Sequence, residues 1–215
     1  ILLALMCCVL ICYMTAANIL NDLIDIKADQ INKPNRILVK HSFNRSTIII
    51  IILLLFIIGT VCALYLPFQA MQIALFIALP GIVLYELILK RIPFIGNVVI
   101  SLLVGMVFVF VAYSFNSHIY DAFKIMLLAF SLNLIREIIK DIQDIEGDIK
   151  IGCNTLPIAI GTRSTVLLIR GFACLFILIS FLPMYTNVYS WKYIPLIVFL
   201  IHVPLLYIIA GLKDD

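Results

Sequence analysis

STIIIIILLLF, residues 46–56, decides the fold. From Ile48 onward it is apolar at every position, so it shows neither the period of an amphipathic helix nor the alternation of a half-buried strand. The run continues to Leu66, about the 20 residues that a helix needs to cross a bilayer. Working outward from 46–66, six more such stretches lie near 1–21, 70–89, 94–115, 120–139, 163–183 and 193–212. Transmembrane barrel strands are excluded, because stretches such as Ile73–Leu89 are apolar on all faces. Helices satisfy their own backbone in lipid. The reading is an all-α, polytopic membrane protein with seven spans.

Composition agrees. Hydrophobic residues make up 64% of the 215 residues and charged residues 13%, against about 25% charged in soluble domains. The mean hydropathy is +1.19. No hydrophilic linker or low-complexity tract interrupts the pattern, so residues 1–215 are expected to form one domain. Cys7, Cys8, Cys12, Cys62, Cys153 and Cys174 show no zinc-ligand or disulfide spacing and read as packing residues. Ile1–Met14 lacks a basic leader and reads as a span.

Cytoplasmic loops of membrane proteins are enriched in Lys and Arg. One set of span ends carries Lys27, Lys33, Arg36, Lys40, Arg45, Lys90, Arg91, Arg136, Lys140, Lys150, Arg163 and Lys213; the other carries Lys124 and Lys192. The first set is placed in the cytoplasm, with Trp191, Tyr189 and Tyr193 as an interfacial anchor on the far side. The net charge of +3 is a topology signal and implies no nucleic-acid partner.

The first span ends in NILNDLIDIKAD, residues 18–29. At about 100° per residue, Asn18, Asp22, Asp25 and Asp29 share a stripe. REIIKDIQDIEGD, residues 136–148, repeats the device 119 residues later with Glu137, Asp141, Asp144 and Asp148. Four spans separate the motifs, so both emerge on the same membrane face. Clustered carboxylates oppose one another's ionisation, and their oxygens suit hard divalent cations that also hold substrate phosphates. The expectation is a diphosphate between two Mg²⁺ ions. An EF-hand loop does not fit, because its ligands alternate around a central Gly. On the same face, Arg36, Lys90, Arg91, Arg136 and Lys140 satisfy the positive-inside bias and are also candidate phosphate partners. Arg136 and Lys140, one turn apart beside the second stripe, are the best placed.

These residues resemble the UbiA superfamily of intramembrane prenyltransferases. Asn21, Asp22, Asp25 and Asp29 are similar to its NDxxDxxxD signature, followed by Asn32, Pro34 and Arg36; Asp141, Asp144 and Asp148 match its second DxxDxxxD motif. YELILKRIPFIGN, residues 85–97, resembles its Tyr…Lys-Arg…Gly-Asn segment. Within the superfamily, the second motif followed by GCNTLPI, residues 152–158, looks most like the branch that makes ether lipids. The resemblance implies nine spans, of which this chain would hold seven, truncated at both ends. It further implies that Asp22, Asp25, Asp141 and Asp144, supported by Asp29 and Asp148, hold two Mg²⁺ on an allylic polyprenyl diphosphate donor. Arg136 and Lys140 would stabilise the leaving group, with Asn18, Asn21, Arg36, Tyr85 and Lys90 as further substrate contacts. The implied acceptor is lipophilic, geranylgeranylglyceryl phosphate, with 4-hydroxybenzoate as the alternative. An ion-coupled transporter is the alternative of another class; acids at helix ends argue against it, since transport sites lie near the midplane.

Overall fold

A computed structural model describes residues 1–41, 43–186 and 188–212; Lys213, counted above with the basic set, and residues 214–215 lie outside the described residues. Among the described residues there are helices and no strands. Leu2–Ile24 (α1) is the first long helix, bent at Asp25 into the short Ile26–Asn32 (α2). Arg45–Ala63 (α3), Phe68–Leu87 (α4) and Ile95–Ser114 (α5) follow. Ile119–Gln143 (α6) bends at Asp144 into Ile145–Ile151 (α7). Thr162–Ile179 (α8) and Tyr193–Ala210 (α9) complete the bundle.

Among the described residues, six helices are long and apolar enough to cross a membrane: α1, α3, α4, α5, α8 with its extension to Tyr185, and α9. The seventh expected span, 120–139, falls inside α6. That helix is 25 residues long, but Asp121, Lys124, Arg136, Glu137, Lys140 and Asp141 make it too charged to be counted with the others. It packs along α5, to which it is joined by a short turn, and also against α8.

The helices leave large apolar side chains exposed, among them Ile50, Leu53, Leu54 and Ile57 on α3. An apolar surface this extensive is foreign to water-soluble monomers and is the surface lipid requires. Inside, one buried cluster joins Val9 and Tyr13 of α1 to Ala70, Ile73, Val109 and Phe110, at the end of the bundle away from Asp22. Another joins Ile135 and Ile138 of α6 to Ile169, Phe176 and Leu205. His202 on α9 bonds Ser180 at 2.9 Å, both buried. Between α1 and α3, Gly59 allows a close approach: a Cβ there would stand 2.6 Å from the Tyr13 ring. Beside it, the Tyr13 hydroxyl pairs with Thr60 at 3.0 Å. Small residues at such crossings are what membrane helix packing favours.

The 119-residue repeat extends from the motifs into the backbone. Asp25 sits at φ −90°, ψ 8° and Asp144 at φ −100°, ψ 4°. Asp25 N–H donates to Asn21 at 2.9 Å and Asp144 N–H to Lys140 at 3.0 Å. The next turn closes from Asp29 to Asp25 and from Asp148 to Asp144. Each helix therefore bends at its middle aspartate, with one turn closing onto that residue and the next closing from it. The bend breaks the single stripe expected for Asn18, Asp22, Asp25 and Asp29, because Asp29 rides on a separate helix. A second likeness lies in α4 and α9. Each contains a π segment, Ile73–Ala78 and Val198–His202, followed two residues on by Pro80 or Pro204. Proline lacks the N–H that the preceding turn needs, and the ladder adjusts through wider π bonds.

Candidate active site

The two bends bring the acidic motifs together, and Asn32 joins them. Its Nδ2 donates to the Asp144 carbonyl at 2.9 Å, and its Oδ1 accepts from Gly147 N–H at 3.0 Å. A side chain at Gly147 would collide with this amide, since its Cβ would lie 2.3 Å from Asn32 Nδ2. The close approach of α2 to α7 thus requires glycine at 147.

Cations and amides hold the carboxylates. Arg36 donates to Asp22 at 2.5 Å and to Asp29 at 2.6 Å. Lys90 reaches Asp25 at 2.7 Å and Glu86 at 3.0 Å. Lys33 crosses from the first motif's loop to Asp144 at 2.6 Å. Asn97 Nδ2 donates to Asp141 at 2.8 Å and is backed by Ser101, whose hydroxyl donates to the Asn97 carbonyl and accepts from Asn133. Glu137 pairs with both Arg136 and Lys140. Burial, with Asp144 and Asp25 nearby, pushes the Asp148 carboxyl up to about 6. Burial also raises Asp29 above the ordinary range, although the Arg36 guanidinium works against it. Asp148 therefore responds to carboxylates of both motifs.

Below this cluster opens a cavity of about 790 Å³. Asn18, Asn21, Asp22, Lys33, Arg36, Tyr85, Glu86, Arg136, Glu137 and Lys140 line its polar end, and apolar residues of α1, α4 and α5 line the rest. Of the site residues expected from sequence, Asn18, Asn21, Asp22, Arg36, Tyr85, Arg136 and Lys140 face this cavity. Asp25, Asp29, Lys90 and Asp144 belong to the adjoining ion pairs, Asp141 accepts from Asn97 beside them, and Asp148 lies near Asp144 and Asp25.

Among the described residues, no three His, Cys, Asp or Glu side chains converge tightly enough to hold a metal. Lys33, Arg36 and Lys90 occupy the carboxylate oxygens. The chemistry of the residues nevertheless suits a hard divalent cation: the candidate donors are carboxylate oxygens drawn from two facing motifs, and Asp148 is close enough to Asp144 and Asp25 for them to raise its proton affinity.

Sequence reasoning missed Asn32, Lys33, Glu86 and Asn97 as site residues. Glu86 had a usable signal, since it is the one acid within the apolar stretch 70–89 and ionisable groups inside spans mark function. Asn32 and Lys33 lie in a polar loop and stand out only once their partners across the cavity are visible.

The sequence pattern of the UbiA prenyltransferase family matches residues 1–215. The digeranylgeranylglyceryl phosphate synthase of Thermococcus gammatolerans is 35% identical over 198 residues, covering 92% of this chain and 71% of that protein. The Pyrococcus abyssi protein of the same name is 36% identical over 183 residues, covering 85% of this chain and 65% of that protein. A solved structure described as digeranylgeranylglyceryl phosphate synthase in membranes aligns at a TM-score of 0.72 and 29% identity, covering 96% of this chain and 73% of that one. The chain thus spans roughly two thirds of the length of these relatives.

Proposed function

The chain belongs to the UbiA prenyltransferase family, and from that premise we propose that it transfers a prenyl group from an allylic polyprenyl diphosphate to geranylgeranylglyceryl phosphate, forming an ether lipid. The observation that carries this reading is the two-part cavity. Its polar end gathers Lys33, Arg36, Arg136 and Lys140 beside two aspartate motifs, and its remaining length is apolar. A diphosphate fits the first part and a polyisoprenoid tail the second.

Asp22, Asp25 and Asp29 of one motif and Asp141, Asp144 and Asp148 of the other would hold Mg²⁺. Bound there, the ion supplies positive charge against the diphosphate oxygens. Arg136 and Lys140, already turned to the cavity, take up the negative charge that grows on the leaving group as its carbon–oxygen bond breaks. Lys33, Arg36 and Lys90 hold the carboxylates in the substrate's absence and are in reach to exchange partners when a diphosphate arrives. The apolar walls keep water from the allylic carbon, leaving the acceptor hydroxyl to form the new carbon–oxygen bond as its proton passes to the released diphosphate. The acceptor is assigned on the names of the relatives. The charge count supports placing the motifs on the cytoplasmic side.

The test is transfer of labelled geranylgeranyl groups in membranes, with geranylgeranylglyceryl phosphate or 4-hydroxybenzoate as acceptor and with Mg²⁺ or EDTA. Mg²⁺-dependent label in the lipid phosphate, lost in Asp22→Ala and Asp144→Ala, is expected. Label in the aromatic acid alone would overturn the acceptor, and no label in either would overturn the reaction.

A further inference from the structure

The polar and apolar parts of the cavity meet on α6 at Asn133. Among the described residues, that helix lines the cavity with Asn133, Arg136, Glu137 and Lys140, which share one helical face. Asn133 stands at the apolar end of this stripe, one turn before Glu137. The neighbouring α5 contributes apolar side chains alone, Ile100, Leu103 and Val107 among them. Buried hydrogen bonds fix which end of the Asn133 amide is left for a ligand. The Ser101 side chain is 0% exposed, and its hydroxyl donates to the Asn97 carbonyl at 2.6 Å. A hydroxyl has one proton to give, so Ser101 accepts from Asn133, whose Nδ2 donates to it at 3.2 Å. The NH₂ end is thereby held on α5. The carbonyl oxygen, Oδ1, makes no hydrogen bond among the described residues. Turning the amide over would set Oδ1 against an oxygen whose proton is already given to Asn97. Asn133 therefore offers the cavity an acceptor, and what it suits is a ligand's O–H.

Resting on the prenyl-transfer reading, we propose that Asn133 Oδ1 accepts the hydrogen bond of the acceptor's hydroxyl and holds that oxygen beside the allylic carbon. The depth agrees. The allylic carbon is joined to the diphosphate through a single oxygen, so it lies just to the apolar side of Arg136 and Lys140, where Asn133 stands. Held through its hydrogen, the hydroxyl oxygen keeps its lone pairs for the carbon. One pair forms the new carbon–oxygen bond, and the old bond breaks with its electrons left on the diphosphate. An amide oxygen is too weak a base to keep the proton, which passes to the released diphosphate. The same buried chain runs on from Asn97 to Asp141 at 2.8 Å. Asn97 and Ser101 thus set both the group that aims the acceptor and a carboxylate assigned to the metal.

The experiment supplies labelled geranylgeranyl diphosphate and geranylgeranylglyceryl phosphate to the full chain in membranes and measures both products, the ether and the free prenyl alcohol formed when water takes the acceptor's place. Wild type, Asn133→Leu and Ser101→Ala are compared. The readout is the ratio of ether to alcohol within each protein, which cancels any loss of folded material, together with KM for each substrate. Asn133→Leu keeps the side chain's size and removes its carbonyl. It should lower the ratio at least about tenfold, the scale of a hydrogen bond left unmade at a buried group, and raise KM for the acceptor. KM for the donor should stay within about twofold of wild type, because the loss falls on the other substrate. Ser101→Ala frees the amide to turn and should lower the ratio by a smaller factor; it decides the matter if the leucine variant yields neither product. Variants that reduce ether and alcohol by one factor, or that raise KM for the donor alone, would overturn the assignment of Asn133 while leaving prenyl transfer intact. No ether from wild type would instead overturn prenyl transfer to this acceptor, and the assignment with it.

Discussion

Asn32 uses both ends of one amide, donating to the Asp144 carbonyl and accepting from Gly147 N–H. Groups that orient metal-binding carboxylates typically cost 10–100-fold in affinity or activity when removed. Asn32→Ala should therefore lower activity by about that factor and shift the Mg²⁺ activation curve to higher concentration. Gly147→Ala should do the same by displacing the amide, and the double variant should be no worse than the single ones. Additive losses would show that the two residues act separately. Lys90 makes a different kind of prediction. It is 10% exposed, between Glu86 at 5% and Asp25 at 24%. Breaking a buried ion pair by removing one partner costs about 3–5 kcal/mol. Lys90→Met should lower the thermal unfolding midpoint in detergent, and adding Glu86→Gln should restore much of the loss. The aspartates were legible because their spacing repeats. Asn32, Lys33, Glu86 and Asn97 were hidden because their meaning depends on partners 111, 112 or 115 residues away, 4 away through a lysine, or 44 away on another helix.

The crossing of α1 and α3 is set by three adjacent features: Gly59, Thr60 and the Tyr13 ring. A side chain at 59 would stand 2.6 Å from Tyr13 and 3.2 Å from Cys12 Cβ. Gly59→Val should force the helices apart and destabilise the protein by about 1–3 kcal/mol, as overpacking does. Tyr13→Phe loses only the bond to Thr60 and should cost about 0.6 kcal/mol, the average for interhelical hydrogen bonds in membranes. Thermal unfolding in detergent separates the two. Apolar length made the helices themselves visible in the sequence. The bends at Asp25 and Asp144 were not visible, because hydropathy reports where a helix lies in lipid and is silent about its axis. The π segments escaped for the same reason, although Pro80 and Pro204 were their local sign.

Across the whole molecule, Lys33, Arg36, Lys90, Arg136 and Lys140 share one end of the bundle with the aspartate cluster, and Trp191, 70% exposed, belongs to the loop before α9. With the six native cysteines replaced, Lys40→Cys should react with a membrane-impermeant maleimide only when the cytoplasmic face is outward, and Trp191→Cys only in the opposite orientation. Labelling of both positions from one side would overturn the topology. Fold class was legible at this scale because composition alone excludes a soluble core; that the two motifs face each other was expected from their shared membrane face, and the packing of α2 on α7 adds the contacts that join them. The 119-residue repeat has its own consequence. The two motifs complete each other, yet they arrive on one polypeptide, so their meeting is a matter of folding and not of collision between molecules in the plane of the bilayer. How often the pair is assembled is therefore independent of how thinly the protein is spread through its membrane, and each copy is free to diverge. The divergence is already visible, with Asn18 standing opposite Glu137 and Arg36 opposite Thr155 in the repeat.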